Sequence, residues 1–174
     1  EKRIQKSIIQ IYANLFRVFR NRLFTLSTLA EMSCFFTFFA YISSSPFILQ
    51  QIYGLSPFHF SLCFALNALT IGIGAALGPQ FKHTNTALKC GAIDFMIAAV
   101  CLSFCLYVHA NLVVVMGFYI YLMISYGLMQ PGLTATALDA ERKNAGAASA
   151  IFGAAGFVAG AISSPIVGLG KIEI

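Results

Sequence analysis

Residues 23–47 read LFTLSTLAEMSCFFTFFAYISSSPF and carry one charged side chain, Glu31, in 25 positions. As a helix rising 1.5 Å per residue, the stretch is about 37 Å long, enough to cross the ~30 Å hydrocarbon core of a bilayer. The same texture recurs at residues 59–80, 90–108, 111–137 and 145–168. Hydrophobic residues make up 59% of the 174 and mean hydropathy is +0.81, against about 45–50% apolar in an ordinary soluble domain. The expectation is an all-α membrane protein with five transmembrane helices.

The connections between these stretches give an orientation. Lys2, Arg3, Lys6, Arg17, Arg20 and Arg22 precede or open the first, and residues 50–59 hold no Lys or Arg. Lys82 and Lys89 follow the second, residues 109–111 are again uncharged, and Arg142 and Lys143 precede the fifth. That alternation obeys the positive-inside rule and predicts a cytoplasmic N-terminus in the inner (plasma) membrane. The net charge of +5 therefore reads as topology at a lipid surface, not as a nucleic-acid interface. Only Glu31 and Asp94 put charge inside the spans.

Composition narrows the function classes. Cys34, Cys63, Cys90, Cys101 and Cys105 lie in or beside apolar stretches, an odd number that does not suit a disulfide framework. His59 and His83 are far in sequence from the Cys101–Cys105 pair, and His109, four residues past Cys105, lies in the following connection, so neither a metal nor a cofactor is expected. No Gly-rich phosphate loop, H-E-x-x-H or nucleophile-elbow pattern is present, and an enzyme is not expected. The chain starts without Met and without a signal-peptide pattern, and it reads as a piece of something longer.

Within this frame the polar residues fall on faces. Residues 1–22 place Ile4, Ile8, Ile11, Leu15 and Phe19 opposite Arg3, Lys6, Gln10, Arg17 and Arg20, which predicts an amphipathic helix on the cytoplasmic surface, with a solvated linker as the alternative. In the first span Ser27, Glu31, Cys34, Phe38, Tyr41 and Ser45 share a face. Pro46 is expected to end or kink that helix, with the Ser43–Ser45 hydroxyls satisfying carbonyls freed there. Cys63, Asn67, Thr70, Gly74 and Gly78 align on the second span. Asp94, about one turn into the third, is expected to pair at the cytoplasmic interface. The fourth opens with Phe118, Tyr119 and Tyr121 as an interface belt. It continues with Tyr126, Gln130 and Thr134 on one face and is expected to break near Gly127 and Pro131-Gly132. Ser149, Gly153, Gly156, Gly160 and Ser164 form a small-residue seam on the fifth, suited to helix packing.

Glu31 carries the sharpest chemistry. A charged carboxylate near the bilayer centre costs roughly 2.5–3.5 kcal/mol on insertion scales, so it faces a cavity, pairs, or takes up a proton. Either a proton relay or a counter-charge for a cationic ligand follows, with a structural carboxyl as the alternative. Phe38, Tyr41 and Tyr126 offer stacking surface, Asn67 and Gln130 polar contacts, and Asp94 is a secondary candidate. The cluster Asp139, Glu141, Arg142 and Lys143 reads as a solvated inner turn.

Three segments resemble a known family. FAYISSSPFILQ (39–50) with YGLSP (53–57) is similar to the seventh helix and following outer loop of the bicyclomycin/chloramphenicol-resistance transporters. These form part of the drug:proton antiporter branch of the major facilitator superfamily. FALNAL (64–69) resembles the start of their eighth helix. PGLTATAL (131–138) with AGAASA (145–150) resembles their tenth-to-eleventh connection. The resemblance implies twelve spans in two halves, with substrate held between them. Residues 1–22 would then be the end of the central cytoplasmic loop, and 23–174 five spans of the C-terminal half, lacking its last helix and the N-terminal half as partner. The implied activity is proton-driven export of small amphipathic drugs or metabolites, with antibiotic resistance as one outcome. Glu31 as coupling acid comes from its own position, because the family's best-known acids lie in the first half. Proton-coupled uptake, or a non-transporting membrane subunit packing through residues 145–168, are the competing readings.

Overall fold

A computed structural model describes residues 17–169. Five helices follow in order: α1 (Arg22–Pro46), α2 (Pro57–Leu77), α3 (Thr84–Tyr107), α4 (Leu112–Ala140) and α5 (Ala145–Leu169). With their flanking turns, all five are long and apolar enough to cross a membrane. The expected amphipathic helix over 1–22 lies outside the described residues except at its end, where Val18–Arg20 make a 3-10 turn with Val18 buried.

Short polar side chains set where the helices begin. Asn21 Oδ1 accepts from the amides of Leu23 (3.0 Å) and Phe24 (3.4 Å), capping α1. Ser56 caps α2 through the His59 amide, with Pro57 pre-shaped for the first position. Asn111 caps α4 through the Val114 amide. Pro46 does close the α-helical part of α1, but the chain continues as a π-helical turn, Phe47–Ile52, and stops at Gly54 with φ of 69°. The carbonyl deprived of its donor by Pro46 is that of Ile42, and the Ser45 hydroxyl donates to it at 3.4 Å.

Two expectations change here. Helix α3 starts at Thr84, not near residue 90, so Asp94 lies about 15 Å from its start and near its middle. The sequence TNTALK (84–89) has no apolar run, yet it forms the first six residues of the helix. Helix α4 does not break: it runs unbroken through Gly127 and Pro131 to Ala140. Pro131 removes one amide, and Gly127 serves as a packing residue.

The helices show the burial pattern of a membrane protein. On α2, Leu62, Leu66, Leu69 and Ile73 are exposed, while Asn67, Thr70 and Gly74 are buried. On α5, Phe157, Val158, Ile162 and Ile166 are exposed while Ser163 is fully buried. Apolar side chains facing out and polar ones facing in is the arrangement lipid selects.

The chain forms two compact units, with boundaries inside α1 and α4. One comprises Tyr41–Leu133; the other takes in the chain up to Ala40 and from Thr134 onward. In the Tyr41–Leu133 unit, α2 and α4 meet backbone to backbone. A Cβ on Gly74 would strike the Ile124 carbonyl, and one on Gly127 the Ile71 carbonyl. Gly78 lies against the Leu128 carbonyl, continuing the Gly-x-x-x-Gly contact, and Gly91 of α3 packs on Met129. At one end of this unit the Tyr53 hydroxyl donates to the Ala110 carbonyl at 2.6 Å, tying the α1–α2 and α3–α4 connections together. Burial pushes this phenol above the ordinary tyrosine range, so the donor keeps its proton at neutral pH. In the other unit, Gly156 and Gly160 of α5 lie against the rings of Phe35 and Phe39 of α1, and Phe157 meets both rings edge-on. Ser149 is exposed and a Cβ on Gly153 would meet nothing within 4 Å, so the close approach is concentrated at Gly156 and Gly160.

Candidate functional site

In the Tyr41–Leu133 unit a polar and aromatic cluster forms between α1, α2 and α4. Asn67 Nδ2 donates to the Tyr41 hydroxyl at 2.9 Å, and both side chains are buried. The Tyr41 ring stacks parallel to Phe64 with centroids 6.0 Å apart, and Tyr119 meets it edge-on at 5.0 Å. Asn67 is 1% exposed, and its Oδ1 has no hydrogen-bond partner among the described residues. Leaving such an acceptor unmet costs about 1–3 kcal/mol, which a donor on a bound molecule or a water would recover. The local sequence explains the placement: α2 buries one narrow stripe, Asn67, Thr70 and Gly74, while its other faces carry exposed hydrophobes such as Leu62, Leu66, Leu69 and Ile73.

On α4 the stripe continues through Tyr126, whose ring lies 6.3 Å from Phe95, to Gln130 one turn on. Gln130 is half-buried, with Nε2 unpartnered among the described residues. Asp94 and Tyr121 form a separate pair: the Tyr121 hydroxyl donates to Asp94 Oδ1 at 2.8 Å, near the middle of α3 and about a third of the way along α4. Asp94 thus has a neighbouring-helix donor and no ion-pair partner among the described residues.

In the other unit Glu31 is 4% exposed, nine residues into α1 and so about 14 Å from its start. Cys34 lies one turn further, also buried, and Phe38 is half-buried with its ring edge-on to Phe39. Of the residues singled out from sequence, the described contacts bring Tyr41 and Asn67 together. Glu31 and Phe38 belong to one unit, and Tyr41, Asn67, Asp94, Tyr126 and Gln130 to the other.

Sequence reading missed Phe64, Tyr119 and Tyr121 as site residues. Tyr119 is 2% exposed and faces Tyr41, so it is not part of an interface belt. Its spacing held the signal: Tyr119, Tyr126 and Gln130 are seven and four residues apart and share one helix face. Among the described residues no three His, Cys, Asp or Glu side chains are grouped to hold a metal.

Residues 1–164 match the sequence profile of the Major Facilitator Superfamily. The chain belongs to the major facilitator superfamily. It is 33% identical over 175 residues to YdgK of Bacillus subtilis (strain 168), described as an uncharacterized MFS-type transporter. That alignment covers 98% of this chain and 43% of the relative, so the chain spans less than half of that protein's length. No solved structure matches it. As a superfamily member with five spanning helices it is a multi-pass membrane protein of a transporter family.

Proposed function

We propose that this chain is the C-terminal half of a proton-driven carrier that exports small amphipathic drugs or metabolites across a bacterial plasma membrane. Its N-terminus is cytoplasmic, residues 1–22 end the central loop, and residues 23–174 are the bundle. The observation that carries this reading is Glu31, a buried carboxyl about 14 Å into a spanning helix, where an acid faces a cavity, pairs or takes up a proton. Ionised, Glu31 attracts a cationic or polar amphiphile from the cytoplasm. Phe38 supplies ring surface in the unit that holds Glu31; within the Tyr41–Leu133 unit, Tyr41, Phe64, Tyr119 and Tyr126 supply ring surface, while Asn67 Oδ1 and Gln130 orient polar groups. A proton arriving from outside neutralises Glu31, weakens that attraction and releases the substrate outward. Return of the proton to the cytoplasm resets the carboxylate, with the two halves rocking around the site.

The test is transport by the complete protein in proteoliposomes, using ethidium and chloramphenicol as cationic and neutral amphiphiles. Exchange for protons is expected to concentrate at least one of them in vesicles with an acid interior, and nigericin to abolish this. Accumulation only in vesicles with an alkaline interior would mean symport. No dependence on the pH gradient for either probe would overturn proton coupling.

A further inference from the structure

A cleft of about 640 Å³ opens where α1 begins and α4 gives way to α5, lined by Arg17, Arg20, Asn21, Glu141, Arg142 and Lys143 among others. Its acids are already engaged. Glu141 Oε1 accepts from Asn21 Nδ2 at 3.1 Å, its Oε2 accepts from Asn144 Nδ2 at 3.0 Å, and Asp139 Oδ1 accepts from Arg142 Nε at 3.0 Å. The Ala140 carbonyl, at the negative end of α4, accepts from Asn21 Nδ2 at 2.8 Å. Arg17, Arg20 and Lys143 have no ion-pair partner among the described residues. The N-terminus of the 25-residue α5 adds a further positive end, and Asn21 caps that of α1.

We propose that this cleft binds the phosphate of an anionic lipid headgroup. Guanidinium groups match phosphate oxygens in pairs, and a lysine adds a mobile third charge. The position favours lipid over a soluble anion. The spans starting at Arg22 and Arg142 begin here, so the cleft lies at headgroup level. Phe19, Leu23 and Leu26 are exposed beside it, offering apolar surface to the acyl chains. A bound headgroup would link the start of α1 to the α4–α5 turn, the two segments Asn21 already joins.

Native mass spectrometry of the complete protein, titrated with phosphatidylglycerol in detergent, reads this independently of transport. Wild-type protein is expected to retain one phosphatidylglycerol and to leave phosphatidylcholine unbound. Each cation near a membrane surface contributes about fivefold in affinity, so R20Q/K143Q is expected to bind about 25-fold more weakly. K143Q alone, at an exposed position, is expected to lose about fivefold and guards against a folding defect in the double variant. K82Q/K89Q removes the same charge from exposed positions outside the cleft and is expected to stay within twofold. Equal weakening in both double variants would reduce the effect to diffuse surface charge and overturn the site. Inorganic phosphate binding as tightly as the lipid would overturn the headgroup assignment.

Discussion

The Asn67–Tyr41 hydrogen bond joins α2 to α1 within a buried aromatic setting. Hydrogen bonds between membrane helices average about 0.6 kcal/mol and reach about 1.7 kcal/mol in double-mutant cycles. Tyr41→Phe, Asn67→Ala and the double variant are expected to couple within that range when thermal unfolding is followed in detergent. Zero coupling would show that the two side chains are neighbours without energetic linkage. At this scale the sequence was partly legible. Glu31 and Asn67 stood out because polar atoms are rare in such stretches. Tyr119 did not, because a tyrosine near a span's end suits an interface belt equally well, and only its contact with Tyr41 decides between them. The start of the helix that carries Asp94 was under-read for a related reason: the polar residues Thr84–Lys89 hid its first six residues.

At the scale of elements, glycine decides how closely α2 and α4 approach. A side chain at Gly127 would enter the backbone of α2, whereas one at Gly117 on the same helix would meet open space. Gly127→Leu is expected to destabilise by at least the ~1–3 kcal/mol typical of overpacking, seen as lost monodisperse protein or a lower melting midpoint. Gly117→Leu is expected to be neutral or slightly stabilising, since leucine favours the helix over glycine by roughly 1 kcal/mol or less. Equal tolerance at both positions would contradict the packing described. The Gly74-x-x-x-Gly78 contact could be read from spacing alone. Gly127 could not, because beside Pro131 it looks like a helix breaker, and its role depends on what Ile71 places opposite it.

Over the whole molecule the five spans were legible from composition, since nothing but a bilayer accommodates five such runs. What sits between the spans was less so. The π-helical turn Phe47–Ile52 and the Tyr53–Ala110 tie follow from Pro46 and from a contact 57 residues distant in sequence. The proposed orientation is open to a direct check. In the complete protein with native cysteines removed, Gln51→Cys and Asn111→Cys are expected to react with an impermeant thiol reagent added outside whole cells. Labelling of both only after the membrane is disrupted would invert the topology. The proton-coupling role of Glu31 is tested most directly by Glu31→Gln, which keeps shape and hydrogen-bonding capacity but removes the titratable proton. With the complete protein in proteoliposomes, the variant is expected to insert normally and to lose at least tenfold of pH-gradient-driven accumulation. Normal accumulation of cationic and neutral probes, with unchanged pH dependence, would contradict it.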